Sequence, residues 1–224
     1  GSLNFLIIGF CMGVCNGFAI PLAHKFGAGD YRGLRAFMVN AIYLSAIFAV
    51  AMTAVTVVFC RPILELMRTP DNIIDGAYLY IVIIFAGIPA TYLYNLISAI
   101  IRSMGDSKTP VVFLVISSVM NIALDLVFII NLHLGVAGAS LATVISQAVS
   151  GIGCLIYSWK KFEILHPDAE ERRWNSSYMK TLCGMGVPMG LQYSITAIGS
   201  VILQSAVNTL GSNAVASMTA GSKI

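Results

Sequence analysis

Asp125 and Asn121 lie four residues apart, which on a helix places a carboxylate and an amide on one face a turn from each other. Both fall deep inside an uncharged stretch, residues 110–131, that is long enough to cross a bilayer at ~1.5 Å per residue. A short turn follows, and the next apolar stretch carries Thr143. Asp125 precedes that turn by about seven residues and Thr143 follows it by about six, so both sit at a similar depth, ~10 Å from one membrane face. An acid, an amide and a hydroxyl are therefore expected to converge on one small volume. A carboxylate held away from water is stabilised by whichever cation neutralises it. An ionisable group inside a membrane is a functional residue by default, because burying it is costly. The competing reading is a helix-pairing acid satisfied by Asn121 and Thr143.

The elements that must position these groups are membrane helices. The chain is 58% hydrophobic and 10% charged, with a mean hydropathy of +0.85, whereas soluble domains carry about 25% charge. Six long apolar runs are visible, 3–23, 34–59, 77–101, 110–131, 136–159 and 182–210, and a seventh begins near Ala214. The alternating ~10-residue segments of a membrane barrel are absent. The fold class is all-α and polytopic. A net charge of +3 spread over the loops offers no nucleic-acid surface. The five cysteines lie in or beside apolar runs and form neither a disulfide framework nor a metal motif. No cofactor is implied.

Loop charge fixes the orientation. Lys25, Arg32, Arg35, Arg102, Lys108, Lys160, Lys161, Arg172, Arg173 and Lys180 fall on one side and Arg61 and Arg68 on the other, so the first set is expected to be cytoplasmic. Gly1 then lies outside, at the start of an inward-running span. A chain that starts this way is expected to be part of a longer protein, with a helix before Gly1 and several after Ile224.

Other signals are structural. Gly9, Gly13 and Gly17 form a stripe for close helix approach. Gly27, Ala28, Gly29 and Asp30 make a turn, Ala41, Ser45 and Ala49 offer a small-residue face, and Asn40 is expected to bond a neighbouring helix. Residues 61–75 read as a surface helix and turn containing Pro62 and Pro70. Gly87 and Pro89 predict a kink. Residues 160–180 are the one long hydrophilic connection. Gly184, Gly186, Pro188 and Gly190 predict an irregular or broken helix start. Beyond it Gln192, Thr196, Gln204 and Asn208 make a polar stripe suited to line a cavity, which Gln147, Tyr92 and Asn95 could join.

Together these features resemble the multidrug and toxic compound extrusion family of cation-coupled exporters. The likeness is carried by Gly27, Ala28 and Gly29 with Arg32 and Arg35, then by Arg102, Gly105, Asp106 and Pro110. Asn121 through Asp125, Gly135 through Ala139, and Gly186 to Pro188 continue it in order. The resemblance implies a twelve-helix, two-lobe fold, of which the chain covers helices two to seven and the start of eight. Residues 1–159 would belong to the first lobe, 160–181 to the linker and 182–224 to the second lobe. It also implies a cation site of Asn121, Asp125, Thr143 and the Ala139 carbonyl. The expected activity is Na⁺- or H⁺-coupled export of organic cations and drugs by alternating access, in a monomer of the cell inner (plasma) membrane surrounded by lipids. A lipid-linked oligosaccharide flippase of the same superfamily is the runner-up, although the runs hold no basic residue beyond Arg35 at the edge of the second. An integral-membrane enzyme is more distant, because His24, His133 and His166 fall in separate loops.

Overall fold

The computed structural model describes residues 2–66 and 71–209, which contain helices and turns and no strand. The seventh run from Ala214, Arg68 and the side chains of Gln204 and Asn208 lie outside the described residues. Helix α1 covers Ser2–Gly27, α2 Tyr31–Leu66, α3 Asp71–Ala86 and α4 Ile88–Ser103. Helix α5 covers Lys108–Leu126 and continues into a π-helical turn, Val127–Asn131. Helix α6 is Gly135–Lys161 and α7 is Ser176–Thr209. The segments Phe5–Gly27, Tyr31–Pro62, Lys108–Asn131 and Gly135–Lys161 are each long and apolar enough to cross a membrane. Helices α3 and α4 are together long and apolar enough for a further span and are bent by 43° at Gly87, where the sequence predicts the kink. A Cβ on Gly87 would run into Val144 of α6.

The α1–α2 turn closes as its residues dictate. Gly29 takes the left-handed conformation, φ +70°, which only glycine adopts freely. Asp30 then caps α2, its Oδ1 accepting the Gly33 amide at 2.9 Å, while Lys25 donates to its Oδ2 at 2.6 Å. Two expectations need correction. Helix α2 does not stop near Phe59 but runs through Pro62 to Leu66. Cys60 and Leu64 are buried beyond that point, so side-chain packing prolongs the helix, and Pro62 takes an exposed position. Helix α7 is likewise one continuous helix across Gly184, Gly186, Pro188 and Gly190, not a broken one.

The second correction has its cause in α1. Helices α1 and α7 pack along one another, glycine against glycine. A Cβ built on Gly13 would lie 2.6 Å from the Met189 carbonyl oxygen and 2.7 Å from the Gly190 Cα. One on Gly17 would lie 2.6 Å from both the Gly186 Cα and the Met185 carbonyl oxygen. Phe18 and Phe10 of α1 occupy the space over Gly186 and Gly190. Gly186 and Gly190 are thus contact surface, and the helix they would weaken alone is held by its partner.

The connection from α6 to α7 is clamped to α2. Arg35 donates twice to Glu171, at 2.7 and 2.8 Å, and Arg32 reaches Glu170 at 3.0 Å. Asn40, fully buried, bonds this connection rather than a neighbouring helix. Its Nδ2 donates to the Arg173 carbonyl at 3.3 Å and its Oδ1 accepts the Asn175 amide at 2.9 Å. Asn175 in turn caps α7, its Oδ1 accepting the Ser177 and Tyr178 amides. Phe37 stacks on Tyr178 at 4.2 Å between ring centroids.

Two outcomes are expected for the full-length protein in detergent. Gly13→Val and Gly17→Val should each lower the thermal unfolding midpoint by several degrees, because the overlap is with backbone and overpacking costs about 1–3 kcal/mol. Gly184→Ala, with no described atom within 4 Å of its Cβ position, should hold or raise the midpoint. A pH series tests the loop carboxylates. Bonds from the Thr109 amide and hydroxyl and from Lys161 pull Asp106 down to about 2. The Arg35 guanidinium holds Glu171 below the usual range. A depressed carboxylate stabilises the fold above its unfolded value, about 4, and that contribution disappears as pH falls toward its folded value. The midpoint should be flat above pH ~5, decline below it, and decline less in Asp106→Asn.

Candidate cation site

The α5–α6 hairpin is built so that its two helices touch. Past Leu126 the chain makes a π turn, with the Leu132 amide bonding the Val127 carbonyl at 3.1 Å and the Leu134 amide bonding that of Phe128 at 3.0 Å. His133 and Gly135 both take positive φ, +52° and +54°, reversing the chain in a few residues. Gly138 is buried, and a Cβ there would meet Phe128 Cβ at 3.0 Å. Small residues thus let α6 lie against the α5 face that carries the polar groups.

On that face Asn121 Nδ2 donates to Thr143 Oγ1 at 3.4 Å. The Thr143 hydroxyl donates to the Ala139 carbonyl at 3.0 Å. Asn121 and Thr143 therefore meet across the helix pair, while the Thr143–Ala139 bond runs within α6. Asp125 stands one turn further along α5. Its side chain is half-buried, and its Oδ1 is closed off from solvent without a hydrogen-bond partner. A shielded carboxylate oxygen with no donor is expensive, typically about 1–3 kcal/mol and more for a charged group. The helix-pairing reading had Asn121 and Thr143 satisfying this acid; they bond each other and the Ala139 carbonyl instead. The donor set is all oxygen, from a carboxylate, an amide, a hydroxyl and a carbonyl, and it suits a proton or a hard monovalent cation. The π turn begins two residues after Asp125, and such turns recur at functional positions.

Of the seven residues read as cavity lining, the five whose side chains are described fall in three places. Gln147 of α6 accepts the Thr91 hydroxyl of α4 at 2.6 Å and so belongs to the α4–α6 contact, and Asn95 donates within α4 to the Thr91 carbonyl at 2.8 Å. Tyr92 is 2% exposed in the core, its hydroxyl enclosed without a hydrogen-bond partner. Gln192 and Thr196 lie on the exposed side of α7, with the Thr196 hydroxyl turned back to the Gln192 carbonyl at 2.9 Å.

A second polar chain went unread in the sequence. Arg102, at the end of α4, donates to Asn16 Oδ1 of α1 at 3.0 Å, and Asn16 Nδ2 donates to the Tyr193 hydroxyl of α7 at 3.4 Å. The available signal was Asn16 lying beside the glycine stripe. The histidines do not gather. His166 bonds the Trp159 carbonyl at 2.8 Å, and among the described residues no group of three or more His, Cys, Asp or Glu could hold a metal.

Comparison with known proteins agrees with this architecture. The family model described as MatE matches residues 1–127. The probable multidrug resistance protein YoeA of Bacillus subtilis is 32% identical over 221 residues, covering 96% of this chain and 48% of that protein. An outward-facing structure of a multidrug resistance MATE family transporter of the MOP superfamily superposes with a TM-score of 0.88 at 25% identity, covering 99% of this chain and 49% of that one. An inward-facing structure under the same description gives 0.82 at 26% identity, covering 97% and 50%. The chain thus spans about half the length of the relatives it matches. Its helix order, its glycine contacts and its acid-bearing hairpin sit on a fold shared with those transporters along nearly its whole length. The chain belongs to the MatE family, the multidrug and toxic compound extrusion transporters, and is not an enzyme.

Proposed function

We propose that this chain forms the ion-coupling part of an antiporter that exports amphipathic organic cations and drugs across the cell inner membrane, driven by Na⁺ or H⁺. The observation that carries the reading is the shielded, unpartnered Asp125 Oδ1 beside the Asn121–Thr143–Ala139 chain. Asp125 alone serves for a proton. For Na⁺, Asp125, Asn121, Thr143 and the Ala139 carbonyl supply the oxygen ligands. Relatives described as multidrug resistance proteins, and transporters of this fold solved in outward- and inward-facing forms, support export by alternating access.

Coupling follows from differential binding. Each ligand shifts the balance between two packings only by its unequal affinity for them. A cation on Asp125 neutralises the carboxylate and relieves the cost of its burial, so the packing that encloses the site is favoured when it is filled. Export of a cationic substrate as that cation enters keeps the charge of the cavity within bounds. The protein is expected to act as a monomer.

The test is flux in vesicles containing the full-length protein, under an imposed Na⁺ or pH gradient and with a panel of cationic dyes. Asp125→Asn should abolish gradient-driven export while leaving dye binding within a few-fold, and undiminished coupled export by that variant would overturn the proposal. Thr143→Ala separates the two ions. With Na⁺ as the driver it should weaken ion dependence about tenfold, roughly the worth of one ligand to a charged group. With H⁺ as the driver, transport should stay near wild type.

A further inference from the structure

The cytoplasm-facing end of the α5–α6 pair holds a cavity of about 500 Å³, lined by Asp106, Lys108, Thr109, Phe113, Tyr157 and Lys161, with Val112 at its edge. Its single carboxylate is already engaged. Asp106 Oδ1 accepts the Lys108 and Thr109 amides, both at 3.0 Å. Its Oδ2 accepts the Thr109 hydroxyl at 2.7 Å and Lys161 Nζ at 3.1 Å. Lys161 is further held over two rings, 5.3 Å from the Tyr157 centroid and 5.1 Å from that of Phe162. The structure gives the Lys108 ammonium no carboxylate partner among the described residues. Two lysines against one acid leave the lining with a positive charge. Lys160 adds another beside it.

The cavity also changes character with depth. Val112 and Phe113 lie one turn, ~6 Å, inward of Lys108. From there an exposed apolar row, Val112, Ile116 and Val119, continues down α5, and Ile156, Ile152 and Val149 do the same on α6. Trp159, 45% exposed, shares a helical turn with Lys160 and Lys161, which puts the lysines at the level where interfacial aromatics meet headgroups. A free anion makes no use of the apolar rows, whereas a diacyl lipid uses both parts.

We propose that this cavity binds one anionic phospholipid, with Lys108 and Lys161 as contacts for its phosphate and its acyl chains along the α5 and α6 rows. Basic pockets between helices on the cytoplasmic side are suited to such headgroups. The bound lipid would brace the same hairpin that carries Asp125, so the site acts at the opposite end of that hairpin from the cation.

Native mass spectrometry of the full-length protein, titrated with phosphatidylglycerol or phosphatidylcholine, tests this. Wild type should retain one phosphatidylglycerol in preference to phosphatidylcholine. Each lysine near an anionic surface contributes about fivefold in affinity. Lys108→Gln should therefore weaken phosphatidylglycerol about fivefold and Lys108→Gln with Lys161→Gln about thirtyfold, with phosphatidylcholine unaffected. Lys108→Gln leaves the Asp106–Lys161 bridge in place, so its result stands even where the double variant fails to fold. Unchanged phosphatidylglycerol affinity in Lys108→Gln overturns the proposal, as does displacement of the lipid by excess inorganic phosphate.

Discussion

Within a bilayer two helices gain no hydrophobic free energy by meeting, because lipid tails are as apolar as leucine. Association depends on how closely backbones can approach. In this chain that constraint is met by glycine at the two contacts on which the rest hangs. Gly13 and Gly17 set the α1–α7 approach, and on α6 Gly138 meets Phe128 of the π turn while Gly153 meets the Phe113 ring of α5. The first contact joins the earliest helix to the last described one, across the linker. The second brings Thr143 to Asn121. Dispersion between tightly fitted atoms is the attractive term in both.

Polar side chains inside the spans follow a matching economy. Most turn back to their own helix: Ser146 bonds the Ala142 carbonyl, Ser158 that of Cys154, Thr56 that of Met52. Such bonds satisfy a hydroxyl without committing the helix to a partner. Others cross between helices, among them Thr91 to Gln147, Asn121 to Thr143, Ser150 to the Phe113 carbonyl and Ser194 to the Leu6 carbonyl. Against this background Asp125 is conspicuous. Four hydroxyls, of Ser45, Thr53, Tyr92 and Ser98, are likewise shielded without a partner, and Asp125 Oδ1 is the one carboxylate oxygen so placed among the described residues.

Much of this was legible in the residues. Charge distribution, the glycine stripe, the Gly29 turn, the kink at Gly87 and the pairing of Asn121 with Thr143 all follow from local chemistry and helical geometry. What was misread shares one physical origin. Gly184, Gly186, Pro188 and Gly190 carry a strong local signal for breaking a helix, yet α7 stays whole, with α1 packed into the space over Gly186 and Gly190. Asn40 was assigned to a neighbouring helix, and its true partners lie more than 130 positions away in a polar loop. The pairing of Arg35 with Glu171 is of the same kind. Contacts of that range depend on how the helices are arranged, which no local pattern encodes.

The π turn after Asp125 alters how the outer end of this hairpin is mapped. One residue is inserted into the spiral between Leu126 and Leu132, and one residue amounts to about 100° of rotation. A helical wheel drawn straight through from Lys108 would assign Ile129, Ile130 and Asn131 to the wrong azimuth by roughly that angle. Probes, cross-links or labels placed beyond Leu126 by counting turns from the carboxylate would therefore report on a different face from the one intended.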